Sequence, residues 1–303
     1  MIETIFCAID DFCKHFEKEL GKHALTKGRG IRLRESGMSL SEVMTIMIMS
    51  KRSGYKNFKT FYFEEKDVLK DLFPQLVSYS RFVELEKMAT LPLIGFFYMC
   101  CRGVCTGKSY ADSTRLSACH CLRRYSCKTL RNVASSGKTS TGWFFGMKLH
   151  IVINQSADLL DLVITSGNVA DNNHDLIRRL CREIYGKIFG DKGYIMAEDF
   201  LKELAERKIQ FVTKKRKNMK KETMNPEDMK DLKHRGLIES ALGLLKSKYD
   251  LENTRYRSIH GFINNILTAL IAYSLQKIKP SIKGKSKTNP GSLDQFSSCL
   301  LFA

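Results

Sequence analysis

The stretch "GWFFGMKLHIVINQSADLLDLVIT", residues 142–165, constrains the fold more than any other part of the chain. Met147, Leu149, Ile151 and Ile153 fall on one face, and Lys148, His150 and Val152 on the other, which is the two-residue period of a strand. The turn "NQSAD" leads into "LLDLVIT", so residues 143–165 predict an antiparallel hairpin with a loop longer than two residues. Downstream, "DNNHDLIRRLCREIYG" has helical periodicity, "KIFGD" is a short strand ending in an acid, "AEDFLKELAERK" is a helix and "IQFVT" a further strand. This order implies a mixed sheet, antiparallel at first and parallel afterwards, in an α/β domain. Residues 1 to about 95 read as helical, and "SLSEVMTIMIMS" offers Ser39 as an N-cap with Glu42 three residues on, a capping box.

A chain of 303 residues with 43% hydrophobic content can bury a substantial core, which excludes a disordered or fibrous protein. The net charge of +18 divides as +2 for residues 1–90, +5 for 91–200 and +11 for 201–303. That gradient points to a polyanionic partner met mainly by the later part of the chain. With no signal peptide, lipidation motif or apolar stretch long enough for a bilayer, the expected polyanion is nucleic acid and the expected compartment is the cytoplasm. Ten cysteines then read as reduced thiols, and Cys119, His120, Cys121 and Cys127 lack the paired spacing of a structural zinc site. Cys100, Cys101 and Cys105 read as small core residues.

From Arg207 to Lys221 there are eight Lys or Arg and no acid, a stretch expected to touch phosphates through residues such as Lys214, Lys215, Arg216 and Lys217. Lys148 on the hairpin is expected to do the same, and "GRGIRLR", residues 28–34, reads as an arm on the DNA backbone. Residues 259–278 form an apolar helix too interrupted by Asn264, Asn265 and Thr268 to span a membrane. The tail "KPSIKGKSKTNPGS" has the composition of a disordered segment.

Three acids stand out. Between Cys101 and Lys148 there are nine Lys or Arg and one acid, Asp112, which has either a structural partner such as Arg115 or a divalent metal. Asp191 ends a short strand, where it either caps a turn or meets a ligand beyond the strand's carboxyl end. Glu239 lies on the helix "HRGLIESALGLLK", where offsets of 4 and 11 residues put Arg235, Glu239 and Lys246 on one narrow stripe. Two strand acids and a helix acid form the all-oxygen set that hard ions such as Mg²⁺ take. Two such ions can activate an attacking oxygen and stabilise the leaving oxygen of a phosphodiester, with Arg235 and Lys246 placed to hold phosphates.

These residues carry a resemblance. "ADST", "GWFFGMKLHIVIN", "GNVAD", "FGDKGY", "RGLIE" followed by Lys246, and "NTRYRSIHGFINNILTALIAYSL" together resemble the DDE transposases of bacterial insertion sequences. The resemblance extends to "FKTFYF" and "FPQLVSYSRFVELE" in the helical part, and its specificity lies in the order, with 79 residues from Asp112 to Asp191 and 48 more to Glu239. It implies an RNase H-like catalytic core with Asp112, Asp191 and Glu239 as metal-binding acids for two Mg²⁺ ions, Mn²⁺ being able to substitute. It also implies strand cleavage at the element's ends and 3′-hydroxyl strand transfer into double-stranded target DNA, by a homodimer associated with the nucleoid. The signature around the last acid matches at Arg235, Glu239 and Lys246, but its tyrosine position holds Leu232. The expected organisation is a helical DNA-binding and dimerisation domain over 1–98, a catalytic domain over 99–279 and a flexible basic tail over 280–303. The short gap from Asp191 to Glu239 leaves room for the basic loop and no large inserted domain.

Other residues are assigned ordinary roles. Asp171 is expected to be a helix N-cap, with metal binding as the alternative, Asp175 to complement the helix dipole, and Asp161 to be structural. His150 is expected to be exposed, and Trp143 with Phe144 and Phe145 to form a core cluster, base stacking being the alternative. Two rival functions share the sequence features: a metal nuclease on the same core without strand transfer, and a basic DNA-binding protein without catalysis.

Overall fold

A computed structural model describes residues 2–26, 37–128, 130–139, 142–214, 224–252, 256 and 258–282. In α1 (Ile2–Thr26), Ile5, Ile9 and Phe12 recur at helical spacing and are buried together. It is followed by α2 (Leu40–Arg52), α3 (Phe58–Glu64), α4 (Lys66–Leu72), α5 (Tyr79–Glu86) and α6 (Thr90–Phe96). The capping box at the start of α2 is present: Ser39 Oγ accepts from the Glu42 N–H at 3.2 Å, and Glu42 Oε2 accepts from the Ser39 N–H at 2.7 Å. Such a cap stabilises a helix by about 1 kcal/mol. Between α3 and α5 an aromatic cluster fills the core, with Phe58 and Tyr62 each 5.1 Å from Phe82.

The sheet comprises β1 (Lys108–Cys119), β2 (Ser135–Thr139), β3 (Gly142–Asn154), β4 (Leu159–Ser166), β5 (Gly186–Gly190) and β6 (Ile209–Thr213), in the order β2-β3-β1-β5-β6 with β4 also paired to β3. β3 and β4 form the hairpin expected from their alternation. β1 runs antiparallel to β3 and parallel to β5, and β5 parallel to β6, so the mixed sheet follows the predicted sense along the chain. β2 is an addition: "SSGKT" has no apolar alternation, yet it pairs with Gly142–Gly146 of β3, leaving Met147–Ile153 to β4. Where these strands converge a side chain does not fit, since a Cβ on Gly146 would lie 2.1 Å from the Leu116 carbonyl oxygen.

Helices α7 (His174–Leu180) and α8 (Glu198–Glu206) cover one face of the sheet, packing Ile177, Leu180, Phe200 and Leu204 against Ala111, Val152 and Ile188. Each such apolar side chain contributes about 1.5–3 kcal/mol on burial. On the opposite face α9 (Pro226–Lys233) is tied down by Lys108 to Asp231 and Lys187 to Asp228, both at 2.6 Å. It leads into α10 (Gly236–Ser247). The result is a mixed sheet flanked by helices, in keeping with the RNase H-like class, preceded by a helical region.

The last helix, α11 (Ile259–Ser274), departs from expectation. The catalytic domain was expected to run to residue 279, but among the described residues those within 247–277 form one compact unit with those within 1–101, and those within 102–246 form the other with 278–282. The reason lies in the polar residues of α11: Asn264 Nδ2 donates to the Glu86 carbonyl at 2.7 Å, and Asn265 Oδ1 accepts from Lys51 and, at 3.1 Å, from Tyr256. α11 is buried on all sides, and those bonds tie it to α2 and α5. The arm over 28–34 and the tail beyond residue 282 lie outside the described residues. Among the described residues no helix is long and apolar enough to cross a membrane, and the nine described cysteines are free thiols.

Candidate active site

The parallel ladder between β1 and β5 ends at the pair Tyr110 and Phe189. Asp112 stands two residues beyond the first and Asp191 two residues beyond the second, so the 79-residue spacing is the register of two neighbouring strands. Asp191 keeps an extended backbone (φ −79°, ψ −175°) before the turn Lys192–Tyr194, and its Oδ1 accepts from the Gly193 N–H at 2.8 Å. Both acids therefore lie just beyond the carboxyl end of β5, Asp112 within β1 opposite Ile151 and Asp191 at the start of the turn that follows β5.

Glu239, in the first turn of α10, belongs to the same electrostatic neighbourhood. Burial pushes the Asp112 carboxyl up to about 6; the Ser113 N–H and the Arg235 charge oppose this, and the Asp191 and Glu239 charges reinforce it. Glu239 itself is half exposed and accepts from Arg235 Nη2 at 2.5 Å, an i to i+4 pair on the predicted stripe. The other terminal nitrogen of Arg235 is buried with no acceptor among the described residues. Asp191 and Arg235 line one cleft of about 290 Å³ together with Gly190, Lys192, Lys214 and Leu232. Leu232, at the position where the resemblance implies a tyrosine, supplies an apolar wall of this cleft.

A fourth carboxylate adjoins the acids. Asp171 was expected to cap a helix, but Asn173 takes that role for α7, accepting from the Leu176 N–H at 3.0 Å. Asp171 Oδ1 instead accepts from Ser113 Oγ and from Lys148 Nζ, each at 3.1 Å. A Cβ on Gly193 would meet Asp191 Oδ1 at 2.9 Å and Asp171 Oδ2 at 3.2 Å, so the glycine lets the two carboxylates approach one turn. Sequence reasoning missed this because the partners are 23 and 58 residues away.

Two expectations fail here. Lys148, assigned to DNA, is mostly buried and donates inward to the Val169 carbonyl at 2.9 Å and to Asp171. His150, expected in solvent, has no exposed surface because its face of β3 lies under the helical layer. Its Nε2 lies 3.0 Å from Thr165 Oγ1 and its Nδ1 3.8 Å from Asp171, and burial holds the imidazole down at about 4, a shift that Asp171 opposes and Lys148 reinforces. Tyr194 is also buried there, its hydroxyl unpartnered among the described residues and pushed well above its ordinary range by burial and then by Asp171, Asp112 and Asp191.

Of the DNA-directed residues, Arg235 and Lys214 face the cleft with Asp191. Lys246 is exposed on the last turn of α10, about 16 Å along the helix from Arg235, and Lys215, Arg216 and Lys217 lie outside the described residues. Lys192 joins the cleft without having been anticipated. Asp175 is exposed in the first turn of α7, where it pairs with Arg178 at 2.9 Å, and Asp161 is buried in β4.

Among the described residues no three His, Cys, Asp or Glu side chains stand close enough together to hold a metal ion. In charge and chemistry the donor set still suits a hard divalent cation: Asp112 is half-buried within electrostatic reach of the Asp191 and Glu239 carboxylates, and the Arg235 guanidinium is paired to Glu239. No curated protein matches the chain. The family described as Transposase DDE domain matches residues 102–259, more than half of the chain and the span that carries Asp112, Asp191 and Glu239, and the chain belongs to that family.

Proposed function

We propose that this protein is the transposase of a bacterial insertion sequence, which cuts DNA at the element's ends and joins the freed 3′-hydroxyl to target DNA. The observation that supports this reading is the strand register that sets Asp112 in β1 and Asp191 just beyond the carboxyl end of the neighbouring β5, with Asp112 within electrostatic reach of Glu239. Asp112, Asp191 and Glu239 would hold two Mg²⁺ ions, or Mn²⁺, which when bound activate the attacking oxygen and stabilise the leaving one. The protein's own contribution is to keep Asp112 desolvated but ionised near neutral pH, since its carboxyl titrates at about 6. Arg235, with a buried nitrogen lacking an acceptor, and Lys192 and Lys214 in the same cleft, hold phosphate oxygens of the strand being cut. Lys246 and the basic stretch around Lys215, Arg216 and Lys217 extend the backbone contacts.

In strand transfer the 3′-oxygen forms a bond to a target phosphorus while the target's own 3′-oxygen leaves with the electron pair, so one phosphodiester replaces another. No Ser or Tyr nucleophile on the protein is required. The N-terminal helical unit recognises the terminal inverted repeats and pairs two protomers, working on the nucleoid in the cytoplasm.

The test supplies the purified chain with DNA carrying the element's ends, a target duplex and Mg²⁺. Cleavage followed by joining is expected, both lost in Asp191→Asn with DNA affinity retained. Hydrolysis without joining would make the protein a nuclease, and binding without either would make it a non-catalytic DNA-binding protein.

A further inference from the structure

Residues 113–157 contain seven Lys or Arg and no Asp or Glu. Part of this segment carries two aromatic rings that the core leaves out. Tyr125 is 80% exposed and Trp143 65% exposed, whereas Phe144 and Phe145 beside it are buried. Trp143 was expected in that core cluster and is excluded from it. An aromatic side chain this open forfeits most of the stabilisation its burial would bring.

Both rings carry a cation on one side. The Arg124 guanidinium lies 4.6 Å from the Tyr125 ring centre, and Lys138 Nζ lies 5.8 Å from that of Trp143, across the β2–β3 ladder. The two rings belong to one surface. Cys121 Sγ donates to the Trp143 carbonyl at 3.0 Å, fixing the turn before Tyr125 to the start of β3. Tyr125 shares a shallow depression of about 550 Å³ with Arg124, Arg131, Ser136 and Phe145, and Phe145 is on the same face of β3 as Trp143.

We propose that this surface binds unpaired DNA bases, which stack on Tyr125 and Trp143 while Arg124, Arg131 and Lys138 hold the backbone phosphates. Phosphate contact alone needs cations but no open rings, and a paired duplex hides its base faces, so the exposed aromatics select a strand whose bases are free. A cation on one face of a ring leaves the other face for a base. The inference rests on the reading of the protein as a DNA transposase, but its test does not pass through cleavage.

Trp143 is the only tryptophan in the chain and reports directly on its own surface. The full chain, in chelator so that no strand is cut, is titrated with a roughly 15-nucleotide single strand of thymidines and with the corresponding duplex. Quenching of Trp143 emission is expected with the single strand and not with the duplex. Tyr125→Ala is expected to weaken single-strand binding about tenfold and duplex binding less than threefold, with Tyr125→Phe close to wild type. Equal quenching by duplex, no quenching by either, or Tyr125→Ala binding the single strand as wild type does would each overturn the proposal. Unfolding midpoints of the variants, whose altered side chain is exposed, establish that the fold is kept. Strand joining measured separately with Mg²⁺ tells a failed stacking surface from a failed transposase.

Discussion

Ser113 Oγ donates to Asp171 Oδ1 at 3.1 Å, so the residue that follows Asp112 is held by a carboxylate from the far end of the β3–β4 hairpin. The same oxygen takes Lys148 Nζ at 3.1 Å, and both partners of that ion pair are largely screened from solvent, at 12% and 24% exposure. Asp171 thereby ties β1 to β3 immediately beside Asp112.

Asp171→Asn removes the charge while keeping the shape. It leaves Lys148 half-buried beside a neutral amide, and a loss of about 1–3 kcal/mol in unfolding free energy is expected. Combining it with Lys148→Met should recover most of that loss, because the stranded cation is then gone. Urea unfolding of the two single variants and the double variant closes the cycle; additive losses would mean that the pair is not coupled. Strand cleavage is expected to fall in both Asp171 variants, since neither holds Ser113, the residue that follows Asp112, as the carboxylate does.

The Asp112 carboxyl gives a stability prediction of definite sign. Its folded value of about 6 is raised above the ordinary 3.8, so the protonated form favours folding. The contribution is fully present below 3.8 and is lost as pH rises through about 6, a difference of up to about 3 kcal/mol. Asp112→Asn should therefore be more stable than the wild type at pH 7.5 in chelator while losing strand cleavage. Thermal unfolding across pH 4–8 checks it: parallel profiles for the two proteins would show that Asp112 is not desolvated as described.

The hairpin was legible because its two-residue alternation runs the length of both strands, and Asp112 because it is the single acid in a basic stretch. Asp191 was legible because a strand, an acid and a glycine turn are adjacent in sequence. What escaped depends on contacts that no local pattern encodes. Alternation put His150 on the face opposite Leu149 but could not say that α7 and α8 cover that face. Residues 171 and 173 are both good helix caps, and local rules do not choose between them; the charge of Lys148 and the hydroxyl of Ser113 draw Asp171 away and leave Asn173 at the helix. The apolar character of α11 announced a buried helix but not its neighbours, which Asn264 and Asn265 select by reaching Glu86 and Lys51.

His150 works against Asp112 over the same acid range. Its folded value of about 4 lies below the ordinary 6.5, chiefly through burial, so the neutral ring favours folding. That contribution is present above 6.5 and is lost as pH falls toward 4, again by up to about 3 kcal/mol. In the wild type the two groups partly cancel, giving a flat profile between pH 4 and 6.5. His150→Gln removes one of them, and its stability relative to the wild type should improve by at least about 1 kcal/mol between pH 7.5 and pH 4.5. Chemical unfolding at the two pH values measures the change, and a constant gap would place the histidine in solvent contact.

Arg235 combines three relationships: it pairs with Glu239, its charge lowers the Asp112 carboxyl, and its second terminal nitrogen is buried without an acceptor. Arg235→Ala breaks all three, whereas Arg235→Lys restores the charge but not the forked geometry. The alanine variant should fold, because the pair is a partly exposed i to i+4 contact of less than about 1 kcal/mol. Its strand cleavage should fall by about 10²–10³-fold, the loss expected when a charge-assisted donor to a reacting phosphate is removed. The rate of what cleavage remains should also rise with pH over a range shifted to higher values, since Asp112 loses the cation that favours its ionised form. Lysine should return that pH profile toward the wild type while recovering little of the rate. If lysine restores both, Arg235 acts through charge alone and the bidentate phosphate contact is wrong; if alanine alters neither, the residue belongs to the fold of α10 and not to the reaction.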